Sequence, residues 1–126
     1  MARPFSIAGR ARSFVYAFRG VGIMLASQHN AWIHAFATVL VVAAGLACRL
    51  PASEWCFIVL AIVAVWTAEA LNTALEFLAD AATPGFHPLV GKAKDVAAGG
   101  VLITAVGAAV IGAVIFLPRL FEYLAR

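Results

Sequence analysis

Three long apolar stretches limit what this chain can fold into more than any other feature of its sequence. No residue in 31–48 or 96–117 is charged, and the run 55–79 is interrupted by two charges, Glu69 and Glu76. A helix needs about 20 apolar residues to cross a hydrocarbon core of about 30 Å. With 64% apolar and 12% charged residues, the chain lies far from soluble domains, which are about 45–50% apolar and about 25% charged. We predict an all-α integral membrane protein with three transmembrane helices.

These stretches and the polar segments around them predict one membrane domain over residues 1–126. We place the three spans at about 29–48, 55–80 and 95–117, and an N-terminal amphipathic surface helix at about 5–27. The Arg-rich start does not have the pattern of a cleavable signal. The apolar face of the surface helix carries Phe14, Val15, Phe18 and Leu25, and another face carries Arg12, Tyr16 and Arg19. This pattern is typical of a helix in the headgroup region, and it leaves open whether the helix only anchors the chain.

The basic residues predict the orientation of the spans. Six lie at the N-terminus and between the second and third spans, and three lie on the opposite side: Arg3, Arg10, Arg12, Arg19, Lys92 and Lys94 against Arg49, Arg119 and Arg126. The positive-inside rule then places the N-terminus and the 80–95 segment in the cytoplasm. The net charge of +3 is thereby explained as membrane topology, and we expect no nucleic-acid partner.

Five polar residues of the second span share one helix face. At 100° per residue they fall within about 100° of one another and extend about 16 Å along the helix axis; they are Glu69, Asn72, Thr73, Glu76 and Asp80. Carboxylates at membrane depth are costly unless they face water, a cation or a basic partner. Carboxylate and amide oxygens suit Mg²⁺ held with nucleotide phosphates, and a deeper carboxylate can take a proton from an alcohol. The stripe therefore indicates phosphoryl transfer from Mg-ATP to a lipid hydroxyl.

Lys94 and Asp95 lie on the same cytoplasmic edge, at the start of the third span. A lysine there can bind phosphate as a point charge, and it can equally serve as an anchor that reaches the interface. Asp95 also fits the N-cap of the third helix, a role that does not exclude a part in the site.

Gly91-Lys92 superficially suggests a phosphate-binding loop. The Walker pattern needs glycine and Ser or Thr where this chain has Phe86 and Ala93, so the motif is absent. An ATP site must instead be built from helix faces and the 83–92 loop, where His87 is a candidate contact to a base or phosphate.

Small residues step by four along the third span, at Gly100, Thr104, Ala108 and Gly112. Such a stripe lets another backbone approach closely. Because three helices enclose little space, we expect the chain to form oligomers, with a polar pocket shared between helices or subunits.

The histidines and cysteines give no metal signature. His29 and His34 begin the first span without Cys or His partners at zinc-site spacing, so we predict no zinc site. Cys48 and Cys56 flank the short outer loop, and we assign them no role; the sequence leaves open whether they pair.

Two separated motifs resemble the signature of the small prokaryotic diacylglycerol kinase and undecaprenol kinase family. They are the stretch 68–76 (AEALNTALE) followed by Asp80, and the stretch 92–99 (KAKDVAAG). The likeness covers nearly the whole chain and includes SFVYA at 13–17, Gly20, Asn30 and Ile33-His34. Residues 95–99 and the start of the first span are more similar to the undecaprenol kinase branch than to the diacylglycerol kinase branch.

The resemblance implies a homotrimeric lipid kinase of the bacterial cytoplasmic membrane that uses ATP and Mg²⁺, with active sites between subunits. It implies that Glu69 is the catalytic base, that Glu76 binds the metal accompanying ATP, and that Asn72 and Asp80 are supporting polar residues. The nucleotide-binding positions that it implies are Tyr16, Gln28, Glu76, His87, Lys94 and Asp95. Gln28 stands where the family commonly has a second metal-binding Glu, and its amide oxygen can ligate without a charge.

Two other functions stay open from the sequence. An intramembrane Glu69 among small-residue helices also fits a proton- or ion-conducting subunit, although that function explains the cytoplasmic polar residues less well. A non-catalytic membrane scaffold built on the small-residue stripe would tolerate loss of the Glu69 charge.

Overall fold

The computed structural model of the protein describes residues 6–125, and this part of the chain forms four helices. They are α1 (Ile7–Ser27), α2 (His29–Ala47), α3 (Ala52–Ala82) and α4 (Pro88–Leu124). The expected all-helical class is confirmed, and α2, α3 and α4 are each long and apolar enough to cross a membrane. Helices α3 and α4 extend past the predicted spans at both ends. At 1.5 Å per residue, their 31 and 37 residues are also longer than the hydrocarbon thickness. The predicted start of the surface helix at residue 5, and Arg3 and Arg126, lie outside the described residues.

Helix α1 begins with a side-chain cap and ends against the membrane helices. The Ser6 hydroxyl accepts a hydrogen bond from the Gly9 amide at 3.3 Å, which satisfies one of the free N–H groups of the first turn. Phe14 and Phe18 on its apolar face are exposed, whereas Met24, near its C-terminus, is buried. The single residue Gln28 then turns the chain into α2 with an extended backbone.

The connection from α2 to α3 is a tight helix stop. Arg49 adopts a left-handed backbone with φ of 51°, and the Arg49 and Leu50 amides donate to the carbonyls of Leu46 and Gly45. This is the pattern of a Schellman C-cap, which satisfies the last carbonyls of a helix. Leu50 is thereby placed in the core at the end of the bundle near the α2–α3 turn, where it packs with Ile58 and Ile115.

Helices α3 and α4 pack against each other more extensively than any other pair in the described chain. The stripe of small residues on α4 is half-buried and, at Ala108 and Gly112, lines a cleft that it shares with α2 and α3. A Cβ at Gly100 or at Gly112 would meet no atom of another helix within 4 Å, so the helices of one chain do not approach these glycines closely, and the close approach that the stripe predicts stays a prediction. Near the α2–α3 turn, Arg119 on α4 donates to the Glu54 carboxylate on α3 at 2.7 Å.

The start of α4 corrects two expectations. Helix α4 begins at Pro88, so Asp95 is not its N-cap but an exposed residue inside the helix, and the predicted 83–92 loop shortens to 83–87. The cap is His87, whose Nδ1 accepts from the Leu89 amide at 3.3 Å. Proline at the first helical position needs no hydrogen-bond partner and has its φ preset for the helix, which explains the earlier start.

Both cysteines are exposed free thiols in the described structure, so Cys48 and Cys56 do not pair within this chain.

We expect Gly45→Ala to destabilise the protein. A Cβ at this position would lie 2.8 Å from the Trp55 ring and 3.2 Å from Leu50, and overpacking of this kind costs about 1–3 kcal/mol. Gly22→Ala is the matched control, because nothing lies within 4 Å of a Cβ there. Thermal unfolding in detergent should show a lower midpoint for Gly45→Ala and no decrease for Gly22→Ala. Equal unfolding midpoints would contradict the packing of the Trp55 ring of α3 against Gly45 of α2.

Candidate functional site

The five polar residues of α3 lie on the face of the helix that meets the other helices, as their spacing predicts. Their burial changes steadily along the stripe. Glu69 is 0% exposed, Asn72 and Thr73 are buried, Glu76 is half-buried and Asp80 is exposed. One helix face therefore runs from an enclosed position inside the membrane region to a solvated position near the α3–α4 connection.

Glu69 is the most enclosed polar side chain of this face. Neither of its carboxylate oxygens has a hydrogen-bond partner, and its backbone carbonyl accepts from the Thr73 hydroxyl at 2.8 Å. The nearest cationic candidate is His34 on α2, whose Nε2 lies 3.7 Å from Glu69 Oε2. Burying a carboxylate without hydrogen bonds costs several kcal/mol. The position of Glu69 is therefore unfavourable for the stability of the fold.

Gln28, Asn72 and Glu76 form a second cluster two helix turns closer to the α3–α4 connection. The Gln28 amide donates to Glu76 Oε2 at 2.8 Å, and the Asn72 amide donates to Glu76 Oε1 at 3.2 Å. The carbonyl oxygen of Asn72 is buried and has no partner. The structure thus brings Gln28 to Glu76, the two residues that the resemblance pairs at the metal.

The chemistry of this cluster fits Mg²⁺. It offers carboxylate and amide oxygens, which are hard ligands, and the Asn72 oxygen has no other partner that a metal would have to displace. Among the described residues, no three His, Cys, Asp or Glu side chains converge as a metal site. A magnesium ion here would therefore have to complete its shell with water and phosphate oxygens, as Mg²⁺ usually does.

Lys94 and Asp80 join α4 to the exposed end of the stripe. Lys94 Nζ lies 2.9 Å from Asp80 Oδ1, and both side chains are partly or largely exposed. An exposed ion pair contributes little to stability. Its Lys94 ammonium is therefore available to a phosphate at small cost.

Three of the predicted nucleotide-binding residues are not gathered into these clusters. Tyr16 is 65% exposed on α1, twelve residues before Gln28. His87 caps α4, and Asp95 is exposed. Among the described hydrogen bonds and ion pairs, none joins these three residues to Glu69, Gln28, Asn72 or Glu76.

An apolar cleft of about 380 Å³ opens between α2, α3 and α4. Val65, one turn of α3 beyond Glu69, lies on its wall, and His34 and Thr38 are the polar residues of that wall. The lining of the cleft extends from His34 and Val65, next to Glu69, to Ile58 on α3 and Gly112 on α4, away from the α3–α4 connection. Its lining suits a hydrocarbon chain rather than a column of water.

Sequence reasoning missed the residues that hold α2 against the stripe. Trp66 Nε1 donates to the Thr38 hydroxyl at 3.1 Å, and that hydroxyl donates to the His34 carbonyl at 2.7 Å. The available signal was the register of the two helices. His34 lies six residues after Gln28, and Glu69 lies seven residues before Glu76, so antiparallel helices that pair Gln28 with Glu76 also pair His34 with Glu69.

Comparison with known proteins gives consistent matches. Residues 15–116 match the family model of prokaryotic diacylglycerol kinase. The chain is 41% identical over 109 residues to the undecaprenol kinase of Bacillus subtilis, covering 86% of this chain and 89% of that protein. It is 39% identical over 111 residues to the diacylglycerol kinase of Synechocystis sp., covering 87% of this chain and 63% of that protein.

We expect Glu69→Gln to raise thermal stability, because it removes a buried charge that has no hydrogen bond. Glu54→Gln makes the same chemical change where the carboxylate accepts from Arg119 at 2.7 Å, and it should lower stability or leave it unchanged. Unfolding midpoints in one detergent compare the two variants directly. A clear loss of stability in Glu69→Gln would mean that the carboxylate has a stabilising partner.

Proposed function

Because the chain belongs to the prokaryotic diacylglycerol kinase family, a family of lipid kinases, we propose that it transfers the γ-phosphoryl group of ATP, bound with Mg²⁺, to the hydroxyl of a membrane lipid alcohol. The observation that carries this proposal is the polar face of α3. It combines an enclosed carboxylate beside an apolar cleft with a cluster of oxygen ligands nearer the solvent. Such a face suits a reaction between a lipid and a soluble nucleotide.

We propose undecaprenol as the favoured acceptor and diacylglycerol as the alternative. The relative named undecaprenol kinase aligns over 89% of its own length, and residues 95–99, Asn30 and Ile33-His34 resemble that branch. Both alcohols place a hydroxyl at the interface and a hydrocarbon chain in the bilayer, so the apolar cleft suits either.

In the proposed mechanism Glu69 is the general base. The lipid hydroxyl approaches from the cleft and gives its proton to Glu69, while the alcohol oxygen forms a bond to the γ-phosphorus. The bond between the γ-phosphorus and the oxygen that bridges it to the β-phosphorus breaks, and ADP leaves. A positioned base of this kind contributes about 10²–10⁴-fold to a rate.

Glu76, Gln28 and Asn72 are proposed to hold Mg²⁺ through their side-chain oxygens. For Gln28 and Asn72 this requires the amide groups that now donate to Glu76 to turn their oxygens inward. When bound, the metal neutralises charge on the phosphate oxygens. Lys94 contacts a phosphate, and Asp80 keeps the ammonium in place until the nucleotide binds.

Tyr16, His87 and Asp95 complete the proposed nucleotide site from the outside of the single chain. We propose that the protein is a homotrimer in which neighbouring subunits enclose the half-buried clusters. The exposure of Asp80 and the half-burial of Glu76 support a site that a second subunit completes. The basic residues support a cytoplasmic N-terminus and a cytoplasmic α3–α4 connection in the bacterial inner membrane.

The direct test is ATP-dependent phosphate transfer by the purified protein in mixed micelles, with undecaprenol and diacylglycerol offered separately. We expect transfer to undecaprenol, and a decrease in kcat of at least about 10²-fold in Glu69→Gln, as expected for loss of a general base. Transfer to neither lipid by an assembled protein with Mg²⁺ present would refute the proposal. Unchanged kcat in Glu69→Gln would remove the role of that residue alone.

Glu76→Gln should mainly weaken the use of Mg-ATP, because it removes the one formal charge of the oxygen cluster. We expect the KM for Mg-ATP to rise by about tenfold or more, which is about 1.4 kcal/mol of binding, with a smaller change in the KM for lipid. The matched control is Glu122→Gln, an exposed glutamate at the other end of the molecule. An unaltered KM for Mg-ATP in Glu76→Gln would exclude Glu76 as a metal ligand.

Gln28→Glu should strengthen metal binding. It places a second carboxylate beside Glu76, where the Gln28 amide now lies at 2.8 Å, and a Mg²⁺ site gains affinity from added charge. Titration of activity with Mg²⁺ at fixed ATP should show half-maximal activity at a lower metal concentration than in the unsubstituted protein. The same or a higher concentration would indicate that residue 28 does not ligate the metal.

A further inference from the structure

Two unpartnered polar groups face each other inside the helix bundle. His34 Nε2 and both Glu69 oxygens are buried without a hydrogen bond, and Nε2 lies 3.7 Å from Oε2. This separation exceeds a hydrogen bond by less than 1 Å, since N–H···O bonds span about 2.7–3.2 Å. Each group is costly to bury alone, and no described residue gives either of them a hydrogen bond.

The position of His34 is set by hydrogen bonds on the adjacent helix turn. Trp66 on α3 donates to Thr38, and Thr38 donates to the His34 backbone carbonyl. Trp66 lies one turn from Glu69, as Thr38 lies one turn from His34. The two helices are therefore held in register at this depth, which keeps the imidazole opposite the carboxylate.

His34 also forms part of the wall of the apolar cleft, and its side chain is 13% exposed. It thus lies between the cleft and Glu69. A hydrocarbon chain that enters the cleft packs against the imidazole and excludes water from both groups, which strengthens any hydrogen bond between them.

We propose that His34 is a positioning residue for lipid phosphorylation: when a lipid occupies the cleft, the Nε2–H of His34 donates to Glu69 Oε2 and leaves Oε1 to receive the proton of the lipid hydroxyl. An ionised carboxylate only accepts hydrogen bonds, so Nε2 must carry the hydrogen. His34 itself gains and loses no proton in this step. The inference rests on the proposed function, because it assigns His34 a part in that reaction.

The other charged groups near the carboxylate cannot take this part. Glu76, on the same helix, is an acceptor already engaged by Gln28 and Asn72. Lys94 on α4 pairs with Asp80 at the exposed end of the stripe. The part of α1 that packs here contributes Met24 and Gly20 beside Thr73, which have no side-chain donor.

The test compares His34→Leu, which removes the donor at similar volume, with His34→Gln, whose amide keeps one. His29→Gln is the control on the same helix, since His29 is exposed and has no part in the site. We expect His34→Leu to lower kcat about 100-fold, in line with a misplaced catalytic group, with the KM for ATP within about threefold. His34→Gln should recover activity to within about tenfold of the unsubstituted protein, and His29→Gln should be unchanged.

Infrared difference spectra of the Glu69 carboxyl group provide a readout that a purely structural role does not move. Addition of undecaprenol should shift this band in the unsubstituted protein and in His34→Gln, and should leave it unshifted in His34→Leu. Thermal unfolding and size-exclusion chromatography identify any variant that does not assemble. If His34→Leu fails to assemble, the activity and the infrared spectrum of His34→Gln still test the role proposed for His34.

Two results would overturn the inference. One is a kcat for assembled His34→Leu within about threefold of the unsubstituted protein, and the other is His34→Gln as inactive as His34→Leu with no band shift. A protein that phosphorylates neither lipid would refute the proposed function instead, and the infrared band shift would then still decide whether His34 binds Glu69.

Discussion

The helices of the protein pack around the enclosed carboxylate of Glu69. It is 0% exposed and its oxygens have no hydrogen bond, so the fold bears an electrostatic cost that apolar packing must offset. The helices supply that packing near the α2–α3 turn, where Leu50, Ile58 and Ile115 form a core cluster. Unfavourable groups of this kind are retained where a functional site needs them. Glu69 lies next to His34, which lines the apolar cleft.

The α3 stripe places three chemical environments at three depths. The deepest holds the Glu69 carboxylate beside an apolar cleft, the next holds carboxylate and amide oxygens around Glu76, and the position nearest the α3–α4 connection holds the Lys94–Asp80 pair. A kinase that joins a soluble nucleotide to a lipid alcohol has to bring charged phosphates and a hydrocarbon chain within bonding distance. A single helix that crosses the interface can do so, because its rise of 1.5 Å per residue spaces the groups along the boundary.

The local pattern of the sequence was sufficient to predict the helices and the shared polar face of α3. Helical periodicity depends on spacing alone, and the order of burial from Glu69 to Asp80 follows from the direction of the helix. The start of α4 was missed because Asp95 is a good N-cap residue, whereas His87 followed by Pro88 makes the actual cap. The partners of the stripe were missed because His34, Thr38 and Trp66 meet through the α2–α3 register, which no single segment contains. The small-residue stripe predicts close helix approach, and within one chain the space beside Gly100 and Gly112 is open, so this prediction concerns a neighbouring subunit.

We propose that one face of α3 binds the lipid hydroxyl and the nucleotide at different depths of one site. A structure of the protein in lipid nanodiscs with Mg²⁺, a non-hydrolysable ATP analogue and undecaprenol tests it most directly. We expect the metal at about 2.0–2.1 Å from a Glu76 oxygen and the lipid hydroxyl within about 2.6–3.2 Å of Glu69. Nucleotide or lipid bound away from this face, with Glu69 still enclosed and without a partner, would contradict the account.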